Sequence, residues 1–149
     1  MNWDNDRSIG LSKACVAAFA VLLAALDIGA YWLVGYFIGL RRMSAAQETM
    51  MLITVYLCSV FAWAVLWELW RLLGNMSEAR VFTVDNVTLL RRVSWNCFAV
   101  AAICLVSTAY YVPFLVGAMA AAFMALIVRI VKNVFQQAVR MKDELDFTV

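Results

Sequence analysis

The sequence predicts an all-α polytopic membrane protein with four transmembrane helices, of which the fourth extends into the cytoplasm. Hydrophobic residues make up 66% of the 149 residues and charged residues only 15%, whereas globular domains average about 45–50% and about 25%. A domain this small cannot bury so much apolar surface in water, which excludes a soluble enzyme, a disordered chain and a secreted disulfide-rich protein. Four apolar stretches approach or exceed the roughly 20 residues that a helix needs to cross a bilayer. The chain is too short for more than one domain.

The first predicted span covers residues 14–40 and is interrupted once, by Asp27. Arg7 and Lys13 precede it, as in a signal peptide. The apolar run is too long for one, however, and it lacks the small residue that precedes a cleavage site. We therefore expect this segment to be retained as a membrane span.

The second predicted span covers residues 50–73. Ser44 followed by Gln47 is a capping-box pattern that opens its helix. Glu68 interrupts the span near its end, and we expect this carboxylate to pair with Arg71 on the same helix face.

Tryptophans recur at helical spacing in the later part of this span, at Trp63, Trp67 and Trp70, and Trp95 lies at the start of the third span. Because tryptophan is enriched where membrane meets water, we interpret these residues as an interfacial belt. A ligand-binding aromatic cage is the alternative.

The third predicted span covers residues 93–112, and its helix is expected to begin earlier. Thr83 is placed as an N-cap, with Phe82 and Val87 positioned as a hydrophobic staple. The first turns of this helix should therefore lie in the cytoplasm.

The fourth predicted span covers residues 114–131 and follows Pro113, which suits the first turn of a helix. After Arg129 the apolar residues keep a helical period, which predicts an amphipathic extension over residues 129–144. This extension would lie on the membrane surface, pack on the start of the third helix, or pair with a partner.

The distribution of basic residues predicts the orientation. With four spans, both termini and the middle connection share one side, and Arg41 and Arg42 are alone among the 12 Lys and Arg residues in lying on the other. The positive-inside rule then places both termini in the cytoplasm.

Asp27 is the polar residue that most needs an explanation, because a carboxyl group near the bilayer midplane is costly. No Lys or Arg lies at the same depth, so we expect Asp27 to be neutral and hydrogen bonded to another helix. The candidate partners at compatible depths are Thr54, Ser59, Ser107 and Thr108. A latch between helices is favoured over a site that handles protons or cations.

Small residues recur every four positions in the first and fourth spans, among them Ala25 and Gly29, and Gly117 and Ala121. Such spacing lets helix backbones approach closely. We expect the first and fourth helices to touch within one chain, and a homodimer is the alternative.

The sequence contains no recognisable catalytic or metal-binding pattern. It has no histidine and four cysteines, which lie within or at the ends of spans, where packing is their usual role. We expect no catalytic residue, no metal, no cofactor and no direct contact with nucleic acid.

Two cytoplasmic segments are distinctive. The first contains Phe82, Thr83 and Asn86, followed by Arg91. The second contains Arg129, Lys132 and Phe135 and ends in the acidic tail of residues 143–149, with Asp146 and Thr148.

These segments resemble the DUF2975 family of small bacterial four-helix membrane proteins of unknown function. The resemblance implies a multi-pass protein of the bacterial inner membrane with no established activity. Members of this family often occur beside small helix-turn-helix regulators, which implies a regulatory partnership.

The sequence therefore predicts a non-enzymatic accessory or signalling component that presents a cytoplasmic helical surface to a protein partner, such as a small helix-turn-helix regulator. The alternative function is a small transporter or channel subunit in which Asp27 handles a proton or cation.

Overall fold

The computed structural model describes residues 3–78 and 80–148, with side chains from Arg7 onward. Across these residues, four helices are long and apolar enough to cross a membrane. Their order is α1 (Trp3–Arg41), α2 (Ala45–Ser77), α3 (Val84–Ser107) and α4 (Phe114–Phe147). The predicted all-α fold with four helices of membrane-spanning length is confirmed.

Side-chain caps begin α2 and α3 where the sequence predicts them. At the start of α2, Gln47 N donates to Ser44 Oγ over 3.4 Å, and Ser44 N donates to Gln47 Oε1 over 3.0 Å, which completes the capping box. At the start of α3, Asn86 N donates to Thr83 Oγ1 over 3.4 Å. Each cap satisfies backbone N–H groups that have no partner within the helix.

The α3 helix ends at Ser107, earlier than the predicted limit of residue 112. The following residues turn sharply into α4, which begins directly after Pro113. The turn is held by aromatic packing, since the Phe114 ring lies 5.6 Å from the Tyr111 ring and 5.8 Å from the Tyr110 ring, centroid to centroid. Apolar and aromatic residues therefore continue through this turn, which is why hydropathy alone extended the span too far.

The helices pack in chain order: α1 lies against α2, α2 against α3, and α3 against α4. Within residues 3–78 and 80–148, α1 has no backbone approach to α4 within 8 Å. The expected contact between the first and fourth helices is therefore wrong. The spacing of small residues identifies a helix face on which another backbone can approach closely, but it does not identify which helix packs there. In lipid there is also no hydrophobic force that would bring α1 and α4 together.

A small apolar cluster joins three helices near the α2–α3 connection. Leu72, Leu89 and Leu90 are buried in it, and Val128 and Phe135 of α4 pack against them. Elsewhere many large apolar side chains are exposed, including Val21, Ile28 and Leu33 on α1 and Val106 on α3. In water such continuous apolar surface would favour aggregation, whereas in a bilayer it contacts lipid chains.

Candidate functional site

The carboxyl group of Asp27 accepts hydrogen bonds from side chains of the neighbouring helix. Ser59 Oγ donates to Asp27 Oδ1 over 2.6 Å, and Trp63 Nε1 donates to Asp27 Oδ2 over 2.9 Å. The Tyr56 hydroxyl donates to the backbone carbonyl of Asp27 over 3.3 Å. The three donors are spaced by three and four residues, so they share one face of α2. Asp27 thus joins the middle of α1 to α2 through both oxygens of its carboxyl group.

Of the four partners expected for Asp27, the structure places only Ser59 beside it. Thr54 instead lies 2.8 Å from Ser107, oxygen to oxygen, in the α2–α3 interface. The Thr108 hydroxyl donates to the carbonyl of Cys104 within its own chain segment. Burying a hydroxyl without a partner is costly, and α3 offers Thr54 a nearer one than α1 does.

Sequence reasoning missed Trp63 as a partner of Asp27. A tryptophan at helical spacing with Trp67 and Trp70 is typical of an interfacial belt, and Trp67 is largely exposed as a belt residue should be. The available signal was that Ser59 and Trp63 are four residues apart and therefore lie on the same face of α2 as each other.

Further polar contacts join α2 to the last part of α3 and to the turn that follows it. The Tyr110 hydroxyl lies 2.6 Å from Thr54 Oγ1 and donates to the Met50 carbonyl over 3.2 Å. The Cys58 and Cys104 sulfurs are 4.0 Å apart, and both thiols are free. The described polar side chains of this interface are thus engaged with each other, which fixes the register of the two helices.

Glu68 is buried between α2 and α3, where Asn96 Nδ2 donates to its Oε2 over 3.1 Å. The expected pairing of Glu68 with Arg71 is wrong, because the described residues contain a single ion pair, between Glu78 and Arg80, and Arg71 is exposed. The three-residue spacing on α2 favours Arg71 as the partner of Glu68. However, α3 packs against the side of α2 that carries Glu68, and its Asn96 amide lies within hydrogen-bonding distance of the carboxyl group.

The motif residues around the α2–α3 connection form one hydrogen-bonded unit. Asn86 is fully buried at 0% exposure. Its Nδ2 donates to the carbonyls of Arg80 over 2.8 Å and Val81 over 2.7 Å, and its Oδ1 accepts from Asn75 Nδ2 over 2.8 Å. Both N–H donors of the Asn86 amide and one acceptor site of its oxygen are therefore hydrogen bonded at the α2–α3 connection.

The remaining motif residues fall into two groups at the same end of the molecule. Phe82 packs on Phe135 of α4, with ring centroids 5.6 Å apart. Arg91 of α3 and Arg129 and Lys132 of α4 line one small recess, together with Ser94, Trp95 and Phe98. The structure therefore brings most of the motif residues together where the start of α3 packs against the middle of α4.

The acidic tail stands apart from both groups. The residues from Arg140 to Thr148 are all exposed, and the Thr148 hydroxyl donates only to carbonyls of its own helix, at Glu144 and Leu145. Asp146 lies in this stretch, while Val149, the last residue of the tail, lies outside the described residues. In the part of the chain that the structure describes, no three His, Cys, Asp or Glu side chains are grouped as metal ligands.

The comparisons with known proteins give one family. The family profile described as "Protein of unknown function (DUF2975)" matches residues 32–149, so the match begins inside α1, beyond Asp27, and includes α2, α3 and α4. No curated protein and no solved structure matches the chain. Because the profile covers most of the sequence, this chain belongs to the DUF2975 family of proteins of unknown function.

Proposed function

We propose that this protein is a non-enzymatic accessory or regulatory component of a bacterial inner membrane, and that the end of α4 presents a cytoplasmic surface to a protein partner. The observation that carries the proposal is the length of α4. At about 1.5 Å per residue, its 34 residues extend roughly 51 Å, whereas the hydrocarbon core is about 30 Å thick. The apolar run closes at Arg129, and the rest of the helix projects beyond it.

The exposed end of α4 has the chemistry of a helix that binds in a groove. Met141 and Leu145 are four residues apart and are 58% and 69% exposed, so they form an uncovered apolar stripe. Phe147 is 91% exposed. Charged residues occupy the remaining positions from Arg140 to Asp146, which keeps the surface soluble. An amphipathic helix of this kind is recognised through anchors at spacings of three and four residues.

The orientation of the protein is part of this proposal. The antiparallel packing of successive helices brings the start of α1, the α2–α3 connection and the end of α4 to one side. That side carries all Lys and Arg residues except Arg41 and Arg42, and the positive-inside rule assigns such a side to the cytoplasm.

The role of the interior polar groups supports a non-enzymatic protein. Asp27, Glu68 and Cys58 each face a polar side chain of the adjacent helix. These contacts hold helices together and account for each group without a reaction. The same argument makes Asp27 a latch.

A transporter built around Asp27 is the alternative function, and a carboxylate in the middle of a membrane-spanning helix favours it. Asp27 lies outside residues 32–149, which the family profile matches. The family resemblance therefore lends this alternative no support.

Site-specific photocrosslinking in the native membrane tests the proposed partner surface. A photoreactive phenylalanine at Leu145 should give one protein adduct of defined mass. The same group at Val116, which is exposed on the opposite half of the same helix, should give none. Lipid adducts alone at both positions would contradict the proposal.

A further inference from the structure

We propose that the recess between α3 and α4 binds the phosphate of an anionic phospholipid, and that the adjoining groove holds one of its acyl chains. Phosphatidylglycerol and cardiolipin have this chemistry. The inference does not depend on the protein partner, since the recess lies away from the end of α4 that forms the proposed partner surface.

Three cations converge on this recess from two helices. Arg91 approaches from α3, and Arg129 and Lys132 approach from α4, around a cavity of about 100 Å³. The single ion pair within residues 3–78 and 80–148 is that of Glu78 with Arg80, so no described carboxylate neutralises the three cations. Like charges held together repel one another, and a bound anion would remove that cost.

The two helices pack closely and are hydrogen bonded at this level, so the recess is part of the packed structure. Ser94 Oγ donates to the Ala125 carbonyl over 3.1 Å, and Ala125 is 0% exposed. This small residue lets α3 and α4 approach closely. Arg129 is one turn beyond Ala125 and Arg91 is one turn before Ser94, so both residues line the recess beside this close contact.

An apolar groove of about 610 Å³ continues from the recess along α3. It shares Trp95, Phe98 and Arg129 with the recess and is then lined by Ala99 and Ala102. The small alanine side chains leave room for a hydrocarbon chain. A free phosphate ion would use the cations but not this groove, so the combination points to a lipid.

The depth of the site agrees with a lipid headgroup. Arg129 lies roughly 22 Å along the axis from Phe114 at about 1.5 Å per residue, which is about 8 Å short of the roughly 30 Å hydrocarbon thickness. The long arginine and lysine side chains can extend over this distance and place their charges at the headgroup level. Trp95 is 67% exposed, and its ring lies 6.3 Å from that of Phe98, centroid to centroid. Tryptophan prefers the headgroup level, and basic recesses between helices at that level bind anionic headgroups.

Lipid titration followed by native mass spectrometry tests the proposal. The wild-type protein in detergent should retain one phosphatidylglycerol at least about tenfold more tightly than phosphatidylcholine. The variant Arg91→Gln/Arg129→Gln/Lys132→Gln should lose this preference. The matched variant Arg71→Gln/Arg140→Gln/Lys142→Gln removes the same number of positive charges elsewhere and should keep it. An equal loss of the phosphatidylglycerol preference in both variants would overturn the proposal. It would show that anionic lipid is attracted by the overall positive charge of the protein and not by the recess.

A second variant tests the groove without changing any charge. Ala102→Trp should fill the groove and weaken phosphatidylglycerol binding, and excess glycerol phosphate should not displace the lipid from the wild type. Displacement of the lipid by glycerol phosphate would identify a site for soluble anions. Unchanged lipid affinity in Ala102→Trp would show that the groove holds no acyl chain. Either result would overturn the lipid assignment. Thermal unfolding in the same detergent verifies that each variant is folded.

Discussion

Ser59 Oγ donates to Asp27 Oδ1 over 2.6 Å and thereby joins the middle of α1 to α2. Together with the hydrogen bond from Trp63, it accounts for a carboxyl group at a depth where such a group is costly. This contact matters for the fold because α2 is the one helix whose backbone approaches α1 within the part of the chain that the structure describes.

The latch predicts a stability loss when the Asp27 carboxylate is removed. Asp27→Ala deletes both side-chain hydrogen bonds and should lower the free energy of unfolding by about 1–2 kcal/mol. Ile28→Ala on the exposed face should cost less than about 0.5 kcal/mol. Unfolding of the purified protein in mixed micelles measures both, and equal losses in the two variants would count against the latch.

The same interpretation predicts that the protein transports no protons or cations through Asp27. Proteoliposomes with the wild type and with Asp27→Asn should both show the proton and cation flux of protein-free vesicles. A flux in the wild type that Asp27→Asn abolishes would instead support the transporter alternative. Asparagine keeps the size of the side chain and one of its two hydrogen-bond acceptors, and thermal unfolding verifies that the Asp27→Asn protein is folded.

Asn86 is expected to be the most sensitive position of the α2–α3 connection. Asn86→Ala removes three hydrogen bonds from a fully buried amide and should cost about 2–3 kcal/mol. Asn86→Asp should be worse, because it places a carboxylate oxygen against two carbonyls.

Limited trypsin digestion at Arg80 and thermal unfolding measure this effect. Both Asn86 variants should be cut faster than the wild type at Arg80. Asn133→Asp is the same chemical change on the exposed face of α4 and should leave the cutting rate unchanged. If the Asn86 variants were cut at Arg80 no faster than the wild type, the Asn86 amide would not stabilise the α2–α3 connection.

Glu68 should be coupled to Asn96 and not to Arg71. Asn96→Ala should lower stability by about 1 kcal/mol in the wild-type background and by much less when Glu68→Ala is already present. Arg71→Ala should have little effect in either background. If the coupling energy between Glu68 and Arg71 exceeded that between Glu68 and Asn96, the result would favour an ion pair of Glu68 with Arg71 on α2 and contradict this prediction.

Features that depend on local chemistry could be predicted from the sequence. The four apolar runs predict four helices because the bilayer sets the length of a span. Ser44 and Thr83 cap α2 and α3 as expected, because a cap is decided within one turn. The continuation of α4 beyond Arg129 also follows from a local period.

Features that depend on which helices are neighbours could not be predicted. Asn96 lies far from Glu68 in the sequence, so nothing local indicates their hydrogen bond. The expected contact of α1 with α4 failed for the same reason, since small residues do not specify a partner. The convergence of Arg91, Arg129 and Lys132 on one recess likewise becomes visible only when α3 packs on α4.

Cysteine accessibility in intact cells tests the central claim, that the end of α4 faces the cytoplasm, most directly. Single cysteines would replace Arg42, Arg80, Val112 or Lys142 in a variant whose four native cysteines are alanine. A membrane-impermeant maleimide should label positions 42 and 112 in intact cells, and positions 80 and 142 only after lysis. Labelling of position 142 in intact cells would place the end of α4 outside the cytoplasm and contradict the account.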